Sequence, residues 1–317
     1  MKQIFMISLV VLAFVACAGD DKGVVAFKSV CKDDEASCFE RECSKNNAYS
    51  CLRLSELAYW GQGGVQKDEK KTKALLEKGC ELDCGFACEK LGDLYRFTDT
   101  NTKADEKTAK SYYDKSTKLY HKACEANDGA ACYRLGYLHL YGSSHHAGNA
   151  SIEKDLNQTV FYYDKSCKLN YTLGCRNLGN FYRLGLNVPK DESKVKELFD
   201  KACDMPDSEV CVWIGDKYKF SAKDYEKSGI YYKKACDLSD AWGCSDLGVL
   251  YLNGLGVKKD EQQANVLFTK ACSIDKMGFV CRHIATQYKE IGDLATAKVY
   301  NEKACKLGHQ RACADLN

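Results

Sequence analysis

The chain has two prolines in 317 residues, which argues against an extracellular β-sandwich with its many proline-marked turns. No basic block stands out either. Its 46 Lys and Arg are interspersed with 44 Asp and Glu, for a formal charge of +2, so the concentrated positive field of a nucleic-acid binder is missing. There is no Cys-x-x-Cys redox pair, no His-Glu-x-x-His and no Walker phosphate loop, so thiol exchange, a zincin-type centre and P-loop chemistry lose their usual signatures. The apolar run Ile4 to Val15 lies at the very start. The remainder is polar, the whole chain having mean hydropathy −0.42, and reads as a soluble body rather than a membrane-spanning one.

What is abundant is cysteine: 20 residues. Reduced thiols rarely reach this density in the cytosol, whereas an oxidising compartment makes paired cysteines useful. The N-terminus agrees. MKQIFMISLVVLAFVACAGDD has an early lysine, an apolar run, then small and acidic residues, the layout of a secretory signal over residues 1–18. Two processing readings stand side by side. Ala16-Cys17-Ala18 offers an Ala-x-Ala cleavage site that would release the protein. Phe14-Val15-Ala16-Cys17 resembles a bacterial lipobox, in which Cys17 is lipidated and anchors the chain. Both place the chain outside the cytoplasm, secreted or periplasmic, with no transmembrane span once mature.

The cysteines are periodic. Seven residues separate Cys43 from Cys51, Cys80 from Cys88, Cys124 from Cys132, Cys167 from Cys175, Cys203 from Cys211, Cys236 from Cys244 and Cys305 from Cys313. Eight separate Cys272 from Cys281, and successive pairs lie 33 to 44 residues apart. A period of this length is one supersecondary unit stacked along a solenoid. After the second cysteine comes Leu-Gly and often a tyrosine, as in Leu91-Gly92 with Tyr95 and Leu247-Gly248 with Tyr251. Cysteine, leucine and tyrosine at i, i+3 and i+7 share one stripe of a helix. The recurring glycine implies that a neighbouring helix backbone comes too close for a side chain. Turns such as GQGGVQKD, LGLNVPKD and NGLGVKKD end at Asp68, Asp191 and Asp260, with Asp293 in the same role, each placed to cap a second amphipathic helix. Each cysteine pair thus bridges the end of one unit to the start of the next. By loop entropy such a staple is worth about 2.5 kcal/mol.

The expected organisation is all-α: a signal over 1–18, a linker and helical cap over 19–42 stapled by Cys31 and Cys38, and a solenoid over 43–317 of about seven helix pairs plus a short terminal helix. Two polar insertions, Asp99 to Lys110 and Gly142 to Asp155, interrupt the period and are expected at unit tips. Cys84 is left over between Cys80 and Cys88 and reads as a free thiol at an inter-unit turn.

The phased cysteine pairs, the Leu91 to Tyr95 type segment and the Gly256 to Asp260 type turn resemble those of Sel1-like repeat proteins, a tetratricopeptide-related family. More narrowly they resemble the Helicobacter cysteine-rich proteins. The resemblance covers the chain from about Cys31 onward. It implies a right-handed α/α superhelix with one disulfide per repeat, an extracytoplasmic address, and either adaptor-like binding or the penicillin binding and slow β-lactamase activity described for that cysteine-rich group.

A serine β-lactamase needs a nucleophile beside a lysine. Ser29 to Lys32 and Ser193 to Lys196 match Ser-x-x-Lys, and Lys227-Ser228-Gly229 follows a second element, but without the usual α/β context no catalytic residue can be assigned. His139, His145 and His146 invite an adventitious metal, with solvated loop histidines the plainer reading; no metal or cofactor is expected. The stronger signal is variation between units. One, five and eight residues after the second cysteine, the first helix changes freely while its Leu-Gly stays. Tyr133, Tyr137, Arg176, Asn180, Arg183 and Asp216 sit at these positions and are the candidate ligand contacts on a concave wall. Either this flank is merely solvated helix, or it holds a peptide, a protein, a muropeptide-like fragment or a β-lactam.

Overall fold

The computed structural model describes Cys17 and residues 36–96, 105–142, 152–205 and 208–316. Its elements are helical throughout these residues: an all-α solenoid of paired helices with disulfides between repeats. Two compact units divide it, Met1–Asp191 and Glu192–Asn317. The first holds α1 (Ala36–Ser44), α2 (Ala48–Trp60), α3 (Glu69–Glu81), α4 (Gly85–Arg96), α5 (Glu106–Glu125), α6 (Gly129–Tyr141), α7 (Leu156–Lys168) and α8 (Thr172–Leu184). The second holds α9 (Glu192–Cys203), α10 (Ser208–Asp216) with a π-helical continuation Lys217–Ala222, α11 (Tyr225–Asp237), α12 (Ala241–Asn253), α13 (Glu261–Ile274), α14 (Phe279–Glu290), α15 (Leu294–Lys306) and α16 (Gln310–Ala314). Among the described residues no helix is long and apolar enough to cross a membrane. The expected signal and linker, apart from Cys17, lie outside the described residues, as do Ser29, Cys31, Lys32, His145 and His146.

The constant cysteine spacing has a backbone cause. Three residues past the first cysteine the chain turns left-handed, at Asn46, Asp83, Asn127, Asn170, Ser239 and Gly308, and each of these amides donates to the carbonyl of that cysteine. Asn, Asp and Gly tolerate this conformation best. The next residue is the cap of the following helix: Asn47 accepts from Ser50 N, Asp128 from Ala130 and Ala131 N, Asp240 from Gly243 N and His309 from Ala312 N.

The second cysteine then falls one helical turn inside, within reach of the first. Cys43 is bonded to Cys51, Cys80 to Cys88, Cys124 to Cys132 and Cys167 to Cys175 in the first unit. Cys203 is bonded to Cys211, Cys236 to Cys244, Cys272 to Cys281 and Cys305 to Cys313 in the second. The paired Cα atoms stand 4.4 to 5.0 Å apart in all eight corner disulfides. The longer spacing of Cys272 and Cys281 is absorbed by Asp275, whose carboxylate accepts from the amides of Met277, Gly278, Val280 and Cys281. Cys38 of α1 is buried and disulfide-bonded; Cys31, expected to staple it, is the cysteine outside the described residues.

At the other end of each unit, Asp68, Asp260 and Asp293 accept from Lys71 N, Gln263 N and Thr296 N. Each such cap is worth about 1 kcal/mol. Asp105, Asp155 and Asp224 cap α5, α7 and α11 in the same way. Gly256 in the preceding turn has φ 67°, and a methyl group there would lie 2.5 Å from Glu226 N, so the position requires glycine twice over.

Two expectations need correction. The helical glycines face aromatic rings rather than a neighbouring backbone: a methyl group at Gly92, Gly136, Gly215 or Gly248 would lie 2.5 to 2.7 Å from the ring of Tyr113, Tyr163, Tyr232 or Phe268. In these four units the ring of the second helix rests in the notch that the first helix leaves. Cys84 is not a free thiol. It is fully buried at the position where other units place a capping Asp or Asn, its sulfur accepts from Ala87 N at 3.3 Å, and it is bonded to Cys17. No cysteine among the described residues is free. That bond and lipidation at Cys17 exclude one another, because both use the same sulfur.

Candidate functional site

First helices of successive repeats pack side by side, α4 and α6 through their side chains and α12 against both α10 and α14. A first helix therefore has two buried edges, one toward its own second helix and one toward the first helix of the next repeat.

On α6, Tyr133 is only 5 % exposed, stacked on Tyr163 at 5.6 Å and beside Tyr171 at 5.6 Å. It belongs to the packing. Tyr137 is half-buried, with the Tyr141 ring 4.7 Å away and the Arg134 guanidinium 5.1 Å over its face. Burial pushes its hydroxyl up to about 12, so it stays a neutral donor at physiological pH. On α8, Arg176 Nε donates to Asn177 Oδ1 at 3.2 Å, and Arg183 donates to Asn180 Oδ1 through both Nε (3.2 Å) and Nη2 (2.8 Å). Asn180 and Arg183 thus act as one oriented, half-exposed group.

Between α4 and α6 lies a group that the sequence pattern does not reveal. Arg134 Nη2 donates to Glu89 Oε1, Tyr120 Oη of α5 donates to Glu89 Oε2 at 2.7 Å, and the guanidinium lies over Phe86 at 5.3 Å. Glu89 and Arg134 are 3 % and 6 % exposed. Burial works against the Arg134 charge, but Glu89 beside it outweighs burial and holds the guanidinium above its ordinary range. Burial, then the Glu89 charge, also keep Tyr120 protonated.

In the second unit, Asp216 is occupied locally: Tyr232 Oη, lying in the Gly215 notch, donates to its Oδ1 at 2.6 Å. Burial raises the Asp216 carboxyl above the usual range. Asp93 does the same for Tyr113 at 2.8 Å in the first unit. Lys219 on the π-helical turn pairs with Asp246 of α12 at 3.0 Å, and His283 of α14 packs against Trp242 of α12 at 5.4 Å. Burial lowers the His283 imidazole.

Arg134, Asp246 and His283 all stand two residues after a second cysteine. A single-helix stripe sets that position far from the packed face, and only the neighbouring first helix buries it. The available signal was complementary charge between adjacent units, Glu89 with Arg134 and Lys219 with Asp246.

Among the described residues no nucleophile–lysine pair assembles around Ser193 or Ser228. Ser193 is exposed on α9 and Lys196 pairs with Asp200 at 2.5 Å; Ser228 is fully buried, while Lys227 pairs with Asp224 and Glu192. Among the described residues no three His, Cys, Asp or Glu side chains converge as a metal site.

The Sel1 repeat model matches residues 48–84, 85–128, 129–171, 172–207, 215–240 and 243–275. Over 58 residues the chain is 36% identical to cytochrome c oxidase assembly factor 7 of Xenopus tropicalis, a segment covering 18% of this chain and 25% of that protein. The chain thus spans a quarter of the length of this curated relative. Among solved structures, a Sel1 repeat protein from Oxalobacter formigenes is 24% identical with TM-score 0.48, over 80% of this chain and 94% of that one. Yeast Tom70 is 18% identical with TM-score 0.51, over 89% and 57%. At these identities the likeness concerns the fold alone.

Proposed function

This chain belongs to the Sel1 repeat family, and we propose that it acts outside the reducing cytoplasm as a disulfide-stapled scaffold. Its ligand is a peptide, a protein or a cell-wall-like fragment, held on the exposed flank of the first helices. The observation that carries this reading is the division of labour within those helices. Cysteine, Leu-Gly and the buried pairs do the packing, while Tyr137, Arg176 and the Asn180–Arg183 group remain half-exposed on the first unit. Tyrosine offers amphipathic area at low entropic cost and arginine offers oriented donors, the residue types that dominate binding energy in interfaces. The corner disulfides support an oxidising address. Muropeptide stems and β-lactams both carry a carboxylate, and Arg176 and Arg183 are the cations of this flank suited to it.

The test is titration of the folded chain with purified muropeptides and with a chromogenic cephalosporin. Saturable, stoichiometric binding without turnover is expected, and it is lost in Tyr137→Ala/Asn180→Ala/Arg183→Ala while circular dichroism is retained. Unchanged affinity in the folded triple variant overturns the assignment of this flank.

A further inference from the structure

The chain re-enters the repeat after α6 beside a pocket. After α6 the inserted chain returns through Ile152, which is buried, and Asp155, whose amide donates to His139 O at 2.8 Å. Between α5, the end of α6, this returning segment and the start of α7 is a pocket of about 670 Å³. The equivalent turn before α13, Val257 to Asp260, also borders a hollow; the one beside α7 differs in being walled by His121, His139 and Tyr162, and it is separate from the first-helix flank.

Its wall is made of rings. The His139 imidazole lies parallel to the Tyr162 ring, 5.6 Å away at 10°. His121 meets Tyr162 edge-on at 6.0 Å, its Nδ1 3.4 Å from the Tyr162 hydroxyl. At the rim stand Lys118 and Lys154, both exposed. The carboxylates nearby are mostly engaged: Asp114 pairs with Lys110 at 3.0 Å, and Asp155 accepts from the amides of Asn157 and Gln158 at 2.8 and 3.1 Å. Glu153 is exposed to solvent. Among the described residues neither Lys118 nor Lys154 has a carboxylate within ion-pair distance.

We infer that this pocket binds a small planar aromatic anion, its ring against His139 and Tyr162 and its carboxylate or phosphate toward Lys118 and Lys154. Flat rings gain most from an offset-stacked neighbour, and an anion gains from two ammonium groups that have no ion-pair partner among the described residues. A free aryl acid and an aryl phosphate share this chemistry.

Isothermal titration of the full chain with benzoate, phenyl phosphate, cyclohexanecarboxylate, inorganic phosphate and benzylamine separates the contributions. One saturable site is expected for benzoate or phenyl phosphate, and which of the two binds better identifies the preferred anion. Cyclohexanecarboxylate and phosphate should bind about tenfold or more weakly, and benzylamine weaker still, consistent with loss of a stacking or charged contact. Lys118→Gln/Lys154→Gln changes two exposed side chains and should weaken benzoate and phenyl phosphate binding by about tenfold or more. Tyr162→Leu should remove the preference for benzoate over cyclohexanecarboxylate. The inference is overturned if neither aromatic anion binds saturably, if benzylamine or cyclohexanecarboxylate binds as well, or if the lysine double variant keeps full affinity. The variants leave Tyr137, Asn180 and Arg183 in place, so loss of binding in them reports this pocket, and the absence of that loss leaves the reading of the first-helix flank unharmed.

Discussion

Arg134 of α6 donates to Glu89 of α4, and both are more than nine-tenths buried, with side-chain exposures of 7% and 4%. The contact crosses from one repeat to the next without using the disulfide. Removing one partner strands the other charge in the core. Arg134→Met is therefore expected to destabilise the first unit by about 3 to 5 kcal/mol, whereas Glu89→Leu/Arg134→Met should recover much of that loss. Chemical denaturation of the three proteins checks this, and a double variant as unstable as the single one would contradict it.

Gly248 faces the Phe268 ring, where a methyl group would stand 2.6 Å from a ring carbon. Alanine normally strengthens a helix by about 1 kcal/mol over glycine. Here Gly248→Ala should instead lower stability by about 1 to 3 kcal/mol through overpacking, and Phe268→Leu added to it should restore part of the loss. A raised melting temperature for the single variant would refute the notch.

Asp216 titrates upward in the folded chain because of burial. A carboxyl whose folded pKa lies above its unfolded value of about 3.9 favours the folded state below that value and loses this contribution as pH rises through the folded pKa. Asp216→Asn keeps an oxygen for the Tyr232 hydroxyl and carries no charge. Relative to the parent, its stability should therefore improve as pH rises from about 4. A pH-independent difference between the two proteins would mean that Asp216 is not shifted.

The corner disulfide between Cys236 and Cys244 closes a short loop. Cys236→Ala/Cys244→Ala should cost about 2.5 kcal/mol, with the m-value changing because the unfolded chain is released. Loss of fewer than a few tenths of a kcal/mol would show that the capped corner already fixes the turn on its own.

The eight corner pairs, from Cys43 with Cys51 to Cys305 with Cys313, the helix order and the Asp caps were legible in the sequence because each follows from spacing along one chain. Cysteine, αL residue and cap occur in fixed register, and that register leaves few conformations open. What the sequence hid depends on neighbours. The partner of Gly248 is a ring twenty residues away on another helix, and Arg134 reads as solvent-facing until α4 is laid beside α6. Cys84 looked unpaired because its partner lies 67 residues earlier, outside the period. Of the candidate contacts, Tyr137, Arg176, Asn180 and Arg183 stay half-exposed, whereas Tyr133 packs in the core and Asp216 serves Tyr232. Period alone cannot tell these apart, since the same helical position is open in one unit and covered in the next.

Peptide mapping of the non-reduced protein, with thiol counting under denaturing conditions, tests the stapled solenoid most directly. The expected fragments join Cys80 to Cys88, Cys124 to Cys132, Cys167 to Cys175, Cys203 to Cys211, Cys236 to Cys244 and the other corner cysteines pairwise. Crosslinks running between distant corners, or free thiols at several of them, would contradict the repeat-by-repeat architecture and the binding flank built on it.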